Sequence, residues 1–399
     1  MSKSNKKASK NSKNKPPQKA TQKKLKLPAF IHETEGIGEP PMPFAPKDRV
    51  GFAIVGLGHL SIDEILPAFQ ETERAKCVAL VSGSPDKAKQ VAAQYDIAEK
   101  NIYNYDNFDE LENNAEVDAI YIVLPNALHR EFTERGAKIG KHILCEKPMA
   151  TSTEDCEKMI AACEKANVKL MIAYRIQYEQ YNRKVREIIK SGKFGKVKLI
   201  ESVNGQRQSK ERQWRHDKKL AGGGALPDIG LYCLNTARFL LGEEPSEVSA
   251  QIYSTSDDPR FREIEENMLF QMRFPSGALV NSSTGYDYHQ SKRYRVAMQT
   301  GWTEMSPAYS YEGLQLKVSE HKDDGENTTQ IVMKNQNQFA AELDHFADCI
   351  MNDKQPLTPG EEGLQDQKIM EALYEAAKSG KTIKLSKKIR EAKISRGHI

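Results

Sequence analysis

No apolar run in this sequence approaches the roughly 20 residues needed to cross a bilayer as a helix. The basic N-terminus is not followed by the 7–15-residue apolar stretch of a secretory signal. These two absences point to a cytoplasmic protein without membrane partners. Cysteine is sparse: Cys77, Cys145, Cys156, Cys163, Cys233 and Cys349 lie scattered, with no Cys-x-x-Cys pair and none at metal-ligand spacing from a histidine. That pattern excludes a disulfide framework and predicts no metal site. Acidic residues are missing from the first 26 positions, which hold ten lysines. Of the formal charge of +4, this leader therefore supplies +10 and the rest of the chain −6. A mildly acidic body with a basic tail lacks the spread basic face of a nucleic-acid reader, so nucleic acid is not an expected partner.

What is present divides the chain into five parts. Residues 1–26 are a Lys/Ser/Asn/Gln-rich leader with too few apolar groups to order itself. Residues 27–47 are Pro-rich with a few hydrophobics (Phe30, Ile31, Met42, Phe44), as suits an extended arm on a folded surface. From 48 to 173, short apolar runs alternate with segments of helical periodicity. The runs 50–56, 77–81, 119–124, 142–145 and 170–173 read as strands, and 62–72, 86–95, 127–139 and 152–166 as helices. This rhythm predicts an α/β domain, a doubly wound parallel sheet of Rossmann type. From 174 to 385 the rhythm changes. A helix at 178–191 leads to a strand-like run at 197–203; after a helix at 227–241 come the alternating segments 249–253, 267–274, 279–285, 294–299, 314–318 and 329–333, then helices at 338–352 and 361–379. That predicts an α+β domain with an open, mainly antiparallel sheet. Residues 386–399 form a basic tail.

The first strand runs into Gly56-Leu57-Gly58-His59-Leu60-Ser61, which opens the first helix. Two glycines let a backbone approach a pyrophosphate, and a helix N-terminus presents N–H donors to it. A small residue suffices at the third position, where Ser61 stands for glycine. The motif is weak alone, but its strand–turn–helix setting is the one required. The tip of the second strand reads Ser82-Gly83-Ser84-Pro85-Asp86-Lys87. It carries hydroxyls and a lysine where an NAD site usually places a carboxylate, so the expected cofactor is NADP, with Ser82, Gly83, Ser84 and Lys87 at the 2′-phosphate.

Glu146-Lys147-Pro148 follows a later strand of the parallel sheet, at the carboxyl edge where ligands bind. Further on, Gly222 to Tyr232 places Asp228 and Tyr232 four residues apart on a helix. Hydride transfer at a carbon bearing oxygen also needs a proton acceptor, and a phenol serves if a nearby ammonium lowers its pKa. Lys147 is the expected ammonium, with Asp228 orienting it or a sugar hydroxyl. From spacing alone, a turn at Lys147-Pro148 and a locally bonded tyrosine remain alternatives. Leu124-Pro125-Asn126 and His129 also follow a strand end; His129 either lines the nicotinamide pocket or caps the next helix. Arg175, Trp214 and Arg215 complete the candidate cofactor and sugar contacts, although each arginine also suits a structural ion pair.

Together, the Gly51–Ser61 stretch, Glu146-Lys147-Pro148 and the Gly222–Tyr232 block resemble the glucose–fructose oxidoreductase/inositol dehydrogenase family, most closely its glucose–fructose oxidoreductase subgroup. The likeness spans about residues 28–385. It implies Tyr232, Lys147 and Asp228 as catalytic residues and Ser82 and Lys87 as 2′-phosphate contacts. It further implies tightly held NADP, oxidation of an aldose at C1 to its lactone, and transfer of the hydride to a second sugar. An N-terminal arm, substrate binding and oligomer contact by the domain at 174–385, and a homodimer or homotetramer belong to the same expectation. The periplasmic type has an export signal, which this N-terminus lacks. An ordinary dehydrogenase with exchangeable NADP, and a non-catalytic NADP-sensing regulator, are the alternatives. A regulator would not need Lys147, Asp228 and Tyr232 together.

Overall fold

The computed structural model describes residues 48–208, 210–287, 289–394 and 397. The leader 1–26 and the arm 27–47 lie outside the described residues, as do four positions of the basic tail. Six strands, β1 (Val50–Val55), β2 (Ala75–Val81), β3 (Ile102–Tyr103), β4 (Ala119–Ile122), β5 (His142–Glu146) and β6 (Leu170–Ala173), form a sheet in the order β3-β2-β1-β4-β5-β6. All its pairings are parallel. Every residue of β1 is buried, as expected of a strand covered on both faces. The strand order reverses between β1 and β4, so a crevice opens at their carboxyl ends.

Local chemistry sets the crossover helices. Ser152 caps Thr153–Ala166 by accepting from the Asp155 amide, and Asn167, in the left-handed region at φ 54°, ends it. One face of the sheet is closed from far along the chain by the helix Gln338–Met351. Its Phe339, Leu343 and Phe346 pack with Phe52 and Ile54 of β1. Asp344 on the same helix accepts from the amides of Glu73, Arg74 and Ala75 at the start of β2. The change of rhythm near residue 173 thus marks where the six-stranded sheet ends, while the packing of that sheet draws on the C-terminal third.

The second sheet has nine strands. They are β7 (Val197–Gln206), β8 (Glu247–Tyr253), β9 (Asn267–Arg273), β10 (Leu279–Tyr286), β11 (Ser291–Met298), β12 (Gly301–Met305), β13 (Leu316–Lys322), β14 (Gly325–Ile331) and β15 (Ile383–Lys384). Their order is β14-β13-β12-β11-β7-β10-β9-β8-β15. The sheet is mainly antiparallel, as the sequence predicts, with one exception: β7 pairs parallel with β10. The chain between these two strands first builds a helix and then β8 and β9, so β10 returns beside β7 in the same direction. The short strands β3, β12 and β15 are additions to the sequence-based expectation.

The helix over this sheet begins as a π-helical turn, Leu226–Gly230, and continues as Leu231–Leu241. Gly230 has no room for a side chain, because a β-carbon there would come within 2.6 Å of the Thr284 methyl. Arg238 is fully buried on this helix, with Nε 2.6 Å from Glu244 and Nη1 3.0 Å from Glu362 and 2.5 Å from Asp366. The cluster ties the helix to Gly360–Ser379. Among the described residues no helix is long and apolar enough to cross a membrane.

Candidate active site

The turn after β1 is shaped for a close backbone approach. Gly56 has φ +98°, and a β-carbon on it would lie 2.3 Å from the Val123 carbonyl oxygen. Gly58 faces open space. The Ser61 hydroxyl donates to the Gly56 carbonyl at 2.6 Å and so closes the turn from within, at the position where the motif usually has glycine. Leu57 is buried, Leu60 half-buried, and His59 exposed, with Nδ1 3.5 Å from Asp63. At the tip of β2, buried Ser82 accepts from the Ser84 amide at 3.1 Å. Gly83 lies against Tyr105, whose ring a β-carbon would reach at 3.0 Å. Lys87 extends its ammonium to the Leu57 carbonyl at 3.2 Å, which places a cation between the strand tip and the glycine turn. An open glycine cradle, hydroxyls and that cation fit a dinucleotide bearing a 2′-phosphate.

Leu124 and Asn126 are buried beyond β4, where the Asn126 amide donates to the Ala221 carbonyl at 2.8 Å. Of the two roles expected for His129, the structure does not show the helix cap, since the helix that follows has no side-chain cap. The His129 side chain is fully buried, with Nδ1 2.9 Å from the Pro148 carbonyl and Nε2 2.9 Å from the Leu124 carbonyl. It therefore braces the loop after β4 against the turn after β5, and both its ring nitrogens are engaged by backbone.

That turn carries Glu146, Lys147 and Pro148. Glu146 accepts from Tyr121 at 2.8 Å and from the Lys147 amide at 3.1 Å. Lys147 reaches across to the π-helical turn, where Nζ donates to the Asp228 carbonyl at 2.6 Å and lies 3.9 Å from its carboxylate. The same ammonium sits over the Tyr232 ring, 4.6 Å from its centroid. The sequence-predicted trio is therefore brought together in space. The hydrogen bond to the Tyr232 hydroxyl, however, comes from Arg175 Nε at 3.2 Å. Arg175 is itself held by the Tyr309 carbonyl at 2.8 Å and Gln338 Oε1 at 2.5 Å, with its guanidinium over the rings of Tyr232 and Tyr311. Asp228 turns its carboxylate the other way, accepting from Tyr286 at 2.8 Å and lying 3.4 Å from Arg215 Nε. Arg215 stacks on Trp214, 4.5 Å from the ring centroid.

The charges explain the titration of these groups. Burial raises the Tyr232 phenol, and Arg175 pulls it back without fully offsetting burial. The expectation of a phenol depressed by Lys147 is thus corrected on two points: the phenol stands above its ordinary value, and Arg175 is the cation that counters burial most. Burial likewise lowers the Lys147 ammonium, against the pull of Asp228 and Glu146. Burial acts upward on Asp228, but Arg215 and Lys147 outweigh it and leave the carboxyl below its ordinary range. Sequence reasoning missed Tyr286, Tyr309, Tyr311 and Gln338. Tyr286 ends β10, Tyr309 and Tyr311 lie in a loop, and Gln338 opens a helix, and none of these positions carries a motif.

A family model described as an oxidoreductase family with an NAD-binding Rossmann fold matches residues 50–174, and one for the family's C-terminal alpha/beta domain matches residues 186–385. D-xylose 1-dehydrogenase [NADP(+)] from Haloarcula marismortui is 32% identical over 348 residues, 86% of this chain and 94% of that protein. D-xylose 1-dehydrogenase (NADP(+)) 2 from Haloferax volcanii is 26% identical over 84% of this chain and 99% of its own length. The crystal structure of aldose-aldose oxidoreductase from Caulobacter crescentus, complexed with glycerol, superposes with a TM-score of 0.81 at 43% identity, covering 84% of this chain and all of that one. The fold, the glycine turn and the matches along both domains agree: this chain belongs to the GFO/IDH/MocA oxidoreductase family.

Proposed function

We propose that this protein is an NADP-dependent sugar oxidoreductase that oxidises an aldose at C1 to its lactone and passes the hydride, through retained NADP(H), to a second sugar. The observation that carries the reading is the Tyr232 phenol, bonded to Arg175 and lying under Lys147 at the carboxyl edge of the sheet that bears the glycine turn. Gly56, Gly58 and the Ser61 turn would hold the pyrophosphate, and Ser82 and Lys87 the 2′-phosphate. Bound NADP supplies the hydride acceptor in the first half-reaction and, once reduced, the donor in the second.

Tyr232 takes the proton of the C1 hydroxyl as the C1–H bond breaks and C1=O forms. It returns that proton to the carbonyl oxygen of the second sugar, so the enzyme ends as it began. Arg175 stabilises the phenolate through its Nε–H, and Lys147 adds positive charge from the ring face. Asp228, kept ionised by Arg215 and Lys147, anchors the ammonium and orients a sugar hydroxyl. Homodimer or homotetramer formation is part of the proposal, supported by the exposed Ile252, Tyr253, Leu269 and Leu279 on β8, β9 and β10.

Purified protein mixed with glucose and fructose, without added nucleotide, should yield gluconolactone and sorbitol. The absence of product even with added NADP would sink the proposal. A second reading, exchange of NADP at each turnover, is favoured by the likeness to proteins named as D-xylose 1-dehydrogenases. Denaturing the purified protein and measuring released NADP separates the two. A stoichiometric amount supports retention, and an empty supernatant supports exchange.

A further inference from the structure

β11 presents Tyr294, Val296 and Met298 to the interior, and strand alternation puts Lys292 on that same face. Its register partner on β7 is Asn204. Asn204 and its neighbour Thr284 on β10 lie directly under the π-helical turn: Asn204 Nδ2 donates to the Ile229 carbonyl at 2.9 Å, and Thr284 to the Asn204 carbonyl at 3.1 Å. Lys292 therefore ends a row of side chains beneath the turn that carries Asp228. Its carbonyl also accepts from the Ala308 amide at 2.8 Å, one residue before Tyr309, whose carbonyl holds Arg175. Asp228 and Arg175 both act electrostatically on its ammonium, which burial and Arg175 push down and Asp228 pulls up.

The other three cations of the site are engaged within the protein: Lys147 at Asp228, Arg175 at Tyr232 and Gln338, and Arg215 at Asp228. The half-buried Lys292 ammonium has no hydrogen bond or ion pair to a described residue. The nearby carboxylate is already shared, because Asp228 serves Tyr286, Arg215 and Lys147. A half-desolvated ammonium has lost part of its hydration and gains from an incoming acceptor. A sugar beside Tyr232 brings such acceptors on every carbon.

We propose that Lys292 is a sugar-binding residue, donating from β11 to a hydroxyl oxygen of the substrate away from the reacting carbon. The proposal rests on the sugar-oxidoreductase reading above and deepens it. Because the contact forms in both the ground state and the transition state, its loss should appear in KM and leave kcat little changed.

The test uses wild-type protein, Lys292→Met and Lys292→Arg, each loaded with NADP. D-xylose binding is measured by titration calorimetry and D-xylose oxidation by initial rates. Lys292→Met should raise both Kd and KM for xylose by about tenfold or more. Its kcat and NADP content should stay within about twofold of wild type, and Lys292→Arg should recover part of the affinity. Equal sugar affinity in Lys292→Met and wild type overturns the proposal, as does a lower kcat at unchanged KM. If wild type binds xylose without oxidising it, the catalytic reading fails while the affinity difference still decides Lys292. Wild type that binds no sugar removes both.

Discussion

Replacing Arg175 by methionine tests the link between burial and acid–base chemistry. Arg175 is 3% exposed, and its Nε–H makes the hydrogen bond to the Tyr232 hydroxyl. Burial already holds this phenol above its ordinary value, with Arg175 the strongest influence in the other direction. In the proposed mechanism oxidation uses the phenolate as base, so activity should fall as pH drops through the phenol's pKa. Removing the guanidinium moves that pKa further up, and the acid limb of kcat must follow it. A hydrogen bond involving a charged group contributes about 1.5–3 kcal/mol, and about 1.4 kcal/mol corresponds to one pH unit. The limb should therefore rise by about 1–2 units, with a roughly ten- to hundredfold loss at a fixed pH on that limb. Arg175 also holds Tyr309 and Gln338, so a thermal melt on each variant keeps folding apart from catalysis, and Arg175→Lys should shift the limb less. The assay is the pH dependence of aldose oxidation at saturating sugar. A folded Arg175→Met enzyme with an unmoved acid limb refutes the reasoning.

Three other outcomes follow from different parts of the molecule. Lys87→Ala should weaken NADP by about tenfold or more, by loss of a charged contact to the 2′-phosphate, and leave NAD affinity unchanged; fluorescence titration with both nucleotides checks this. Arg238→Met leaves Glu244, Glu362 and Asp366 without their cation in a closed interior, and urea unfolding should report a loss of about 3–5 kcal/mol. His345 is buried and lowered from 6.5 to about 4, chiefly by burial, and its Nε2 accepts from the Leu357 amide at 3.0 Å. Its folded value lies below its unfolded one, so its contribution is complete above pH 6.5 and is lost as pH falls towards 4, by about 3 kcal/mol in all. His345→Gln should flatten that part of the stability profile measured by urea unfolding.

Much of the fold is legible in the sequence because local forces set it. The short apolar run ending at Gly56 reads as a doubly covered strand and is one, and Ser152 and Asn167 bound a helix with their own side chains and backbone. Lys147 and the Asp228/Tyr232 pair are legible because their elements place them at a sheet edge and on a helix. The direction of β10 beside β7 is not legible, since it depends on how the intervening helix and two strands stack. Nor is the partner of the Tyr232 hydroxyl: Arg175 owes its pose to Tyr309 and Gln338, more than 130 positions away. His129 shows the same limit, because its place after a strand suits a cofactor contact, and only the nearby Pro148 carbonyl reveals the brace.

In the proposed mechanism the Tyr232 phenol handles the substrate's proton beside a bound nicotinamide. The most direct measurement follows formation of reduced nicotinamide when an aldose is added to NADP-loaded Tyr232→Phe, with the wild type alongside. The variant should keep its NADP but form no reduced cofactor, whereas the wild type should form it readily. Reduction in the variant at near wild-type rate contradicts this mechanism.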